Sequence, residues 1–214
     1  MIERYTLPEM GRIWTENAKF TSWLKVEIAA CEANFSLGNI PEVDLKTIRL
    51  KAKFDEKRIK EIEKEVKHDV IAFLTNINEY VGDSGRYIHV GMTSSDVLDT
   101  GLSLQLKDSC DLLLVEIEKL ENEIRLLARK HKNTLMIGRS HAIHGEPISF
   151  GFKLAGWLAE ILRDKKRLLT LKDSISIGQI SGAMGTYANT NHEIEQKTCA
   201  LLGLKPDTAS TQVI

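Results

Sequence analysis

Three short segments of this chain carry reactive side chains away from the apolar stripes that helices would bury. They are Lys67-His68-Asp69, Thr93-Ser94-Ser95-Asp96, and Ser140-His141-Ala142-Ile143-His144-Gly145-Glu146. In the second, hydroxyls stand just ahead of a long helical pattern. A helix start leaves N–H groups unpaired and carries partial positive charge. Hydroxyls there add donors, and together they make a site for a carboxylate or a phosphate. One such residue could equally serve as a plain N-cap, and by spacing both readings stand. In the third segment, His141 and His144 could move a proton near neutral pH, or ligate a metal with Glu146. Zinc pairs on helices usually come at i, i+4, and Pro147 argues that this stretch is not helical, which counts against metal. His144 could also be a hydrogen-bonded core histidine. In the first segment, Asp69 could orient His68 or cap the helix that begins there, and His68 could be purely structural.

Helices must position these groups. Leu, Ile, Lys and Glu dominate and only 4 prolines occur, a composition that costs a helix little. Phe20, Trp23, Leu24, Glu27, Ile28, Cys31 and Phe35 recur at helical spacing. Gly38-Asn39 ends that helix and Pro41 opens the next. Asp55 is expected to cap a helix over 56–67. The following helix carries Val70, Phe73, Leu74 and Ile77 and ends near Gly82. Tyr87 to Val90 reads as a short extended stretch. A helix then runs to about Lys130, with Leu102, Leu106, Leu113, Ile117, Leu120, Ile124 and Leu127 in a heptad-like stripe. So long a helix belongs in a bundle. A second long helix is expected from near Pro147 to about Asp173, with Leu154, Trp157, Leu158, Ile161, Leu168 and Leu169 inward. The link between them, 135–146, is not a simple turn. Gly178 to Gly185 reads as a loop, and a shorter helix follows from about His192 to Leu202.

With 214 residues the chain can bury a core without metal or disulfide staples. Its formal net charge of -1 gives no basic excess for nucleic-acid binding. The run Arg163-Asp164-Lys165-Lys166-Arg167 reads as a solvated helix face. Cys31, Cys110 and Cys199 are odd in number and form no CxxC, so each is read as a small buried hydrophobe in a reducing compartment. No signal peptide and no spanning run are apparent, which leads to a cytoplasmic expectation with no membrane partner. The closing STQVI carries no terminating signal, and the chain is expected to be cut within its fold.

Read together, the segments resemble one family. HVGMTSSDVLDT, at His89 to Thr100, is similar to the HxGxTSxDxxDT run of adenylosuccinate lyases. KHDVIAF, GRSHAIHGEPISFGFKLAGW, SGAMGTYAN, the terminal STQ and Glu3-Arg4-Tyr5 match the same family in order, from Ile2 to Ile214. Argininosuccinate lyase and fumarase share the superfamily, but SxND-type sequences replace the second segment there. The resemblance implies an all-α fold: an N-terminal helical domain over 1–92, then the first long helices of a central helical bundle over 93–214. It implies a homotetramer, no metal or organic cofactor, and β-elimination of fumarate from adenylosuccinate, giving AMP, or from succinylated aminoimidazole carboxamide ribotide.

The resemblance also implies roles. Arg4 and Tyr5 would contact the nucleotide phosphate and ribose. Lys67, His68 and Asp69 would line the site, with His68 helping to hold the substrate. Thr93 and Ser94 would bind the succinyl carboxylate, His141 would be the general acid, and Gln212 would contact the succinyl group. Lys67 stands where arginine is frequent, and it lacks the bidentate fork. The family's catalytic base is a serine in a loop reading SSxMPxKRN, a run absent from these 214 residues. The expectation is therefore little or no activity from this polypeptide alone. The alternatives are another superfamily lyase, a helical assembly module, or a metal hydrolase built on His141, His144 and Glu146.

Overall fold

Helices begin and end here at the residues that cap them. The computed structural model describes residues 2–214. A 3-10 turn over Glu3–Tyr5 precedes α1 (Pro8–Ile13), α2 (Glu16–Ser36), α3 (Glu42–Lys51), α4 (Glu56–Val66) and α5 (Asp69–Val81). The Thr15 hydroxyl accepts from Ala18 N–H at the start of α2, and Asp55 accepts from the N–H groups of Lys57 and Arg58 at the start of α4. Another 3-10 turn, Gly82–Tyr87, leads to α6 (Ser94–Lys130), whose 37 residues make it about 55 Å long. Strands β1 (Leu135–Ser140) and β2 (Ile143–Ser149) follow, then α7 (Phe150–Ile175), β3 (Ile177–Gly178), α8 (His192–Leu202) and β4 (Lys205–Pro206). The fold is all-α in class. Its strands form only an antiparallel hairpin, β1 with β2, and a two-residue parallel pair, β3 with β4.

Two local expectations are corrected. Tyr87 to Val90 is not extended: Tyr87 closes the 3-10 turn and a hydrogen-bonded turn carries the chain to Gly91. His89 takes φ +66 there, and Met92 N–H returns to His89 C=O. The second long helix starts at Phe150 rather than near Pro147, because Pro147 lies in β2, paired with Ile137. The link between the long helices is thus a β-hairpin. His141 and Ala142 form its two-residue loop with φ of 51 and 60, both positive as a type I′ turn requires.

The chain divides into two compact units: Met1–Asp108 with Ile175–Ile214, and Ser109–Ser174. The first has a closed core. Phe20 stacks on Phe73 at 5.6 Å, and Trp23 meets both rings edge-on. Ile48, Ile59, Val70, Ile77 and Val97 pack around them. A second cluster joins Val26 and Ala33 of α2 to Ile180 and to Ile194 of α8. Cys31 and Cys199 are buried here, and desolvation pushes both thiols up to about 12, so they pack as hydrophobes.

The second unit holds the C-terminal part of α6, the hairpin and nearly all of α7. Phe150 and Gly151 N–H groups donate to the carbonyls of Thr134 and His131. A Cβ on Gly151 would lie 2.5 Å from the Ala128 carbonyl oxygen, so only glycine lets the two helix ends meet. Lys165 bridges Glu118 and Glu121. Ile124 and Leu154 are buried, but Leu113, Leu120, Leu127, Trp157 and Leu169 from the expected stripes remain exposed. Two helices and a hairpin have too few neighbours to surround such stripes. Among the described residues, no helix is long and apolar enough to cross a membrane.

Candidate active site

The start of α6 is the best-defined polar site of the first unit. Thr93 occupies the N-cap position and Ser94 begins the helix. Neither hydroxyl supplies the cap. Asp96 instead makes only the return half of a capping box: its Oδ2 accepts from the Thr93 N–H at 2.9 Å. Thr93 and Ser94 therefore stay half-buried with their hydroxyls not spent on closing the helix.

His68 is drawn to the same place. It caps α5, its Nδ1 accepting from Ile71 N–H at 3.4 Å, while its Nε2 lies 3.4 Å from Ser94 Oγ. Asp69, read from the sequence as orienting His68 or capping this helix, is not the cap; it accepts from its own neighbour Val70 N–H. When neutral, His68 must leave Nδ1 bare to accept, so Nε2 carries the hydrogen and faces Ser94. Its Nδ1 also lies 3.5 Å from Asp69 Oδ1. Lys67 sits before it with φ +56, closing α4 in the left-handed region and leaving its side chain exposed.

Beneath this rim is a buried polar network. Asp96 has no exposed surface. Its Oδ1 also accepts from Ser181 N–H at 3.2 Å and its Oδ2 from Gly182 N–H at 3.1 Å. Burial raises its pKa, against the three backbone donors and His89, which lower it. His89 Nδ1 lies 2.6 Å from Oε1 of the buried Glu27. Burial works against the imidazolium, but Glu27 and the charge of Asp96 leave the His89 pKa raised. The positive φ of Gly91 fits the same packing, since a Cβ there would lie 2.0 Å from the Asn189 carbonyl oxygen.

The first part of the glycine-rich loop after β3, residues 178–182, is buried, whereas Ala183 and Met184 are exposed. Thr100 Oγ1 accepts from Gln179 N–H and donates to Gln179 C=O. Ile180 N–H and the Tyr187 hydroxyl both donate to Glu195. The loop in turn holds the last residues of the chain. Ser181 and Ser210 hydroxyls lie 2.7 Å apart, and Gln179 Nε2 donates to the Gln212 carbonyl at 2.8 Å. The backbone of Gln212 is thereby tied to the loop that Asp96 grips.

The expected residues thus fall into three groups. His68, Asp69, Thr93 and Ser94 gather at the α6 start with Lys67 beside them, and Gln212 joins through the loop. Arg4 and Tyr5 stand together at the amino end, the guanidinium 4.7 Å over the ring. His141 belongs to Ser109–Ser174, exposed at the hairpin tip, with His144 opposite Arg139 in β1. Among the described residues, no three His, Cys, Asp or Glu side chains form a group that could hold a metal. Sequence reasoning passed over Glu27, His89, Gln179 and the true part played by Asp96. Two signals could have found some of them: a glutamate inside the apolar stripe of α2, and an acidic residue three after Thr93.

Comparison with known proteins places this geometry. A family model described as Lyase matches residues 3–213. Adenylosuccinate lyases of Synechocystis sp., Aquifex aeolicus and Bacillus subtilis are 64%, 50% and 48% identical over all of this chain. The chain spans about half the length of these relatives, 50% in each case. The fold is also similar to a fumarate lyase of Mesorhizobium sp., with a TM-score of 0.88 and 27% identity over 94% of this chain and 49% of that one. A 3-carboxy-cis,cis-muconate lactonizing enzyme of Pseudomonas putida gives 0.88 and 28% over 96% and 49%.

Proposed function

Since the chain belongs to the Lyase family, whose model covers residues 3–213, we propose that it supplies the amino-terminal half of an adenylosuccinate lyase. The observation that carries this reading is the 64% identity to such an enzyme across every residue of the chain. On this reading residues 1–92 are an amino-terminal helical domain and 93–214 open a central helical bundle. A homotetramer is part of the proposal, and the exposed leucines of Ser109–Ser174 support association as such. The compartment proposed is the cytoplasm, and no cofactor is invoked.

The chemistry is β-elimination. A base takes the proton beside one succinyl carboxylate, the electron pair forms the new C=C bond, and the C–N bond breaks. The departing nitrogen takes a proton from an acid, and fumarate and AMP leave. Thr93 and Ser94 are proposed to bind a succinyl carboxylate, where the free N–H groups of the α6 start add to their hydroxyls. His68, donating through Nε2, would hold the substrate beside Ser94. His141 is proposed as the acid. Its left-handed backbone, followed by a second non-glycine residue with positive φ, is the kind of strained turn that clusters at functional sites. Arg4 and Tyr5 would contact phosphate and ribose, Lys67 and Asp69 line the site, and Gln212 contact the succinyl group. The same chemistry extends to the succinylated carboxamide ribotide.

Fumarate release, followed by ultraviolet absorbance, tests the reading. The chain completed to the length of its relatives should convert adenylosuccinate to AMP and fumarate in equal amounts. These 214 residues alone should show no turnover above background. His141→Gln in the completed chain should lower kcat by roughly 10²- to 10⁴-fold, the usual worth of a positioned proton donor. A completed chain that releases fumarate only from some other succinyl adduct would transfer it to another lyase of the same superfamily.

A further inference from the structure

Asp96 does more than close a helix. Its carboxylate is an acceptor with no donor of its own, and it takes three backbone N–H groups from two separate parts of the chain: Thr93 at the α6 start, Ser181 and Gly182 in the loop. Two further residues on the first turns of the same helix continue the attachment. Thr100, one turn along at i+4, exchanges two hydrogen bonds with the Gln179 backbone, and Asp99, at i+3, accepts from Ile214 N–H at 3.1 Å. The loop then passes the constraint to residues 210–212 through Ser181 with Ser210 and Gln179 with Gln212.

We propose that Asp96 is a positioning residue. Its buried carboxylate locks Thr93 and Ser94 to the 179–182 loop, and through that loop to Gln212, so that the groups meant for the succinyl carboxylates are assembled before substrate arrives. Preorganisation of this kind lowers the ordering cost of binding. The inference rests on the carboxylate-binding role proposed above for Thr93, Ser94 and Gln212. An amide cannot replace the carboxylate here, because its NH₂ would face an N–H donor and leave it without a partner.

The test uses the full-length enzyme with Asp96→Asn, Ser181→Ala, Thr93→Ala and the pair Asp96→Asn/Thr93→Ala. KM and kcat are measured on adenylosuccinate, and succinate is titrated by calorimetry as a simple dicarboxylate probe. Asp96→Asn should raise KM and weaken succinate about 10- to 100-fold, the range for one lost hydrogen bond to a charged group. In the Thr93→Ala background that effect should shrink, because the Thr93 hydroxyl is one of the groups that Asp96 positions. Ser181→Ala, which cuts only the link to Ser210, should give a smaller KM rise with the melting temperature little changed. It keeps the question decidable if Asp96→Asn fails to fold. The proposal is overturned if the folded Asp96→Asn enzyme keeps the unaltered KM and succinate affinity. It is overturned equally if the two substitutions multiply independently, or if Asp96→Asn does not fold and Ser181→Ala leaves KM unmoved. An unaltered enzyme that binds succinate but releases no fumarate from adenylosuccinate overturns the lyase reading instead, and the succinate titrations still decide the clamp.

Discussion

The two units of this chain solve the burial problem in opposite ways. Met1–Asp108 with Ile175–Ile214 closes around Phe20, Trp23 and Phe73 and keeps even Asp96 and Glu195 from solvent. Ser109–Ser174 buries Ile124 and Leu154 but leaves Leu113, Leu120, Leu126, Trp157 and Leu169 open. The first has enough helices to enclose its apolar side chains. The second consists of two long helices and a hairpin, whose stripes face no further layer within the unit. A polar network such as Asp96 with Ser181 and Gly182 can be held to hydrogen-bond distance only where packing is dense. The hairpin that carries His141 has no such shell of its own.

The contrast can be broken most directly in the cores. Phe73→Ala should cost about 3–5 kcal/mol, because Phe73 is fully enclosed and stacked between aromatic neighbours. Leu126→Ala, at a side chain 61% exposed, should stay within about 0.5 kcal/mol. Urea unfolding of both variants checks this. Equal costs would mean that the face of the second unit around Leu126 is already covered in solution by something that binds it.

A smaller effect sharpens the same comparison through glycine. Gly91→Ala places a Cβ against the Asn189 carbonyl at φ +74 and should destabilise by about 1–3 kcal/mol. Gly156→Ala, inside α7 with nothing within 4 Å of the new carbon, should stabilise by up to about 1 kcal/mol, the helix propensity difference. Opposite signs in thermal melting are the expected result. A loss at Gly156 would show that a partner packs closely on that face.

How far the sequence was legible follows the range of the interactions. Helix limits were readable because caps act over two or three residues: Asp55 starts α4, and α8 runs from His192 to Leu202 as its pattern suggests. The start of α6 at Ser94 was readable from Thr93 and Ser94 because a helix start has local physics. The hairpin was not. Its loop is His141-Ala142, without the Asn-Gly or Asp-Gly that ordinarily announces a type I′ turn. His89 looked extended because nothing nearby reveals its partner; Glu27 is 62 residues away and only the packed fold joins them. The grip of Asp96 on residues 85 and 86 positions further along is hidden for the same reason.

That long-range pair gives the subtlest expected effect, a dependence of stability on pH in the first unit. His89 faces Glu27 at 2.6 Å and feels Asp96, and its pKa in the fold lies above the ordinary 6.5 although burial opposes the charge. The folded chain therefore holds this proton more tightly than the unfolded chain does. The stabilisation is complete below pH 6.5 and disappears as pH rises through the raised value. Asp96, raised from its ordinary 3.8 by burial, contributes with the same sign. Melting temperature should accordingly fall as pH rises from slightly acid to alkaline. Glu27→Gln, which removes the charge yet keeps the shape, should flatten that slope. It leaves His89 beside a neutral acceptor, so the imidazole loses its reason to hold a proton in a buried place. A melting temperature that climbs over the same range, or a slope unchanged in Glu27→Gln, would remove the Glu27–His89 pair as the fold's proton-sensitive contact.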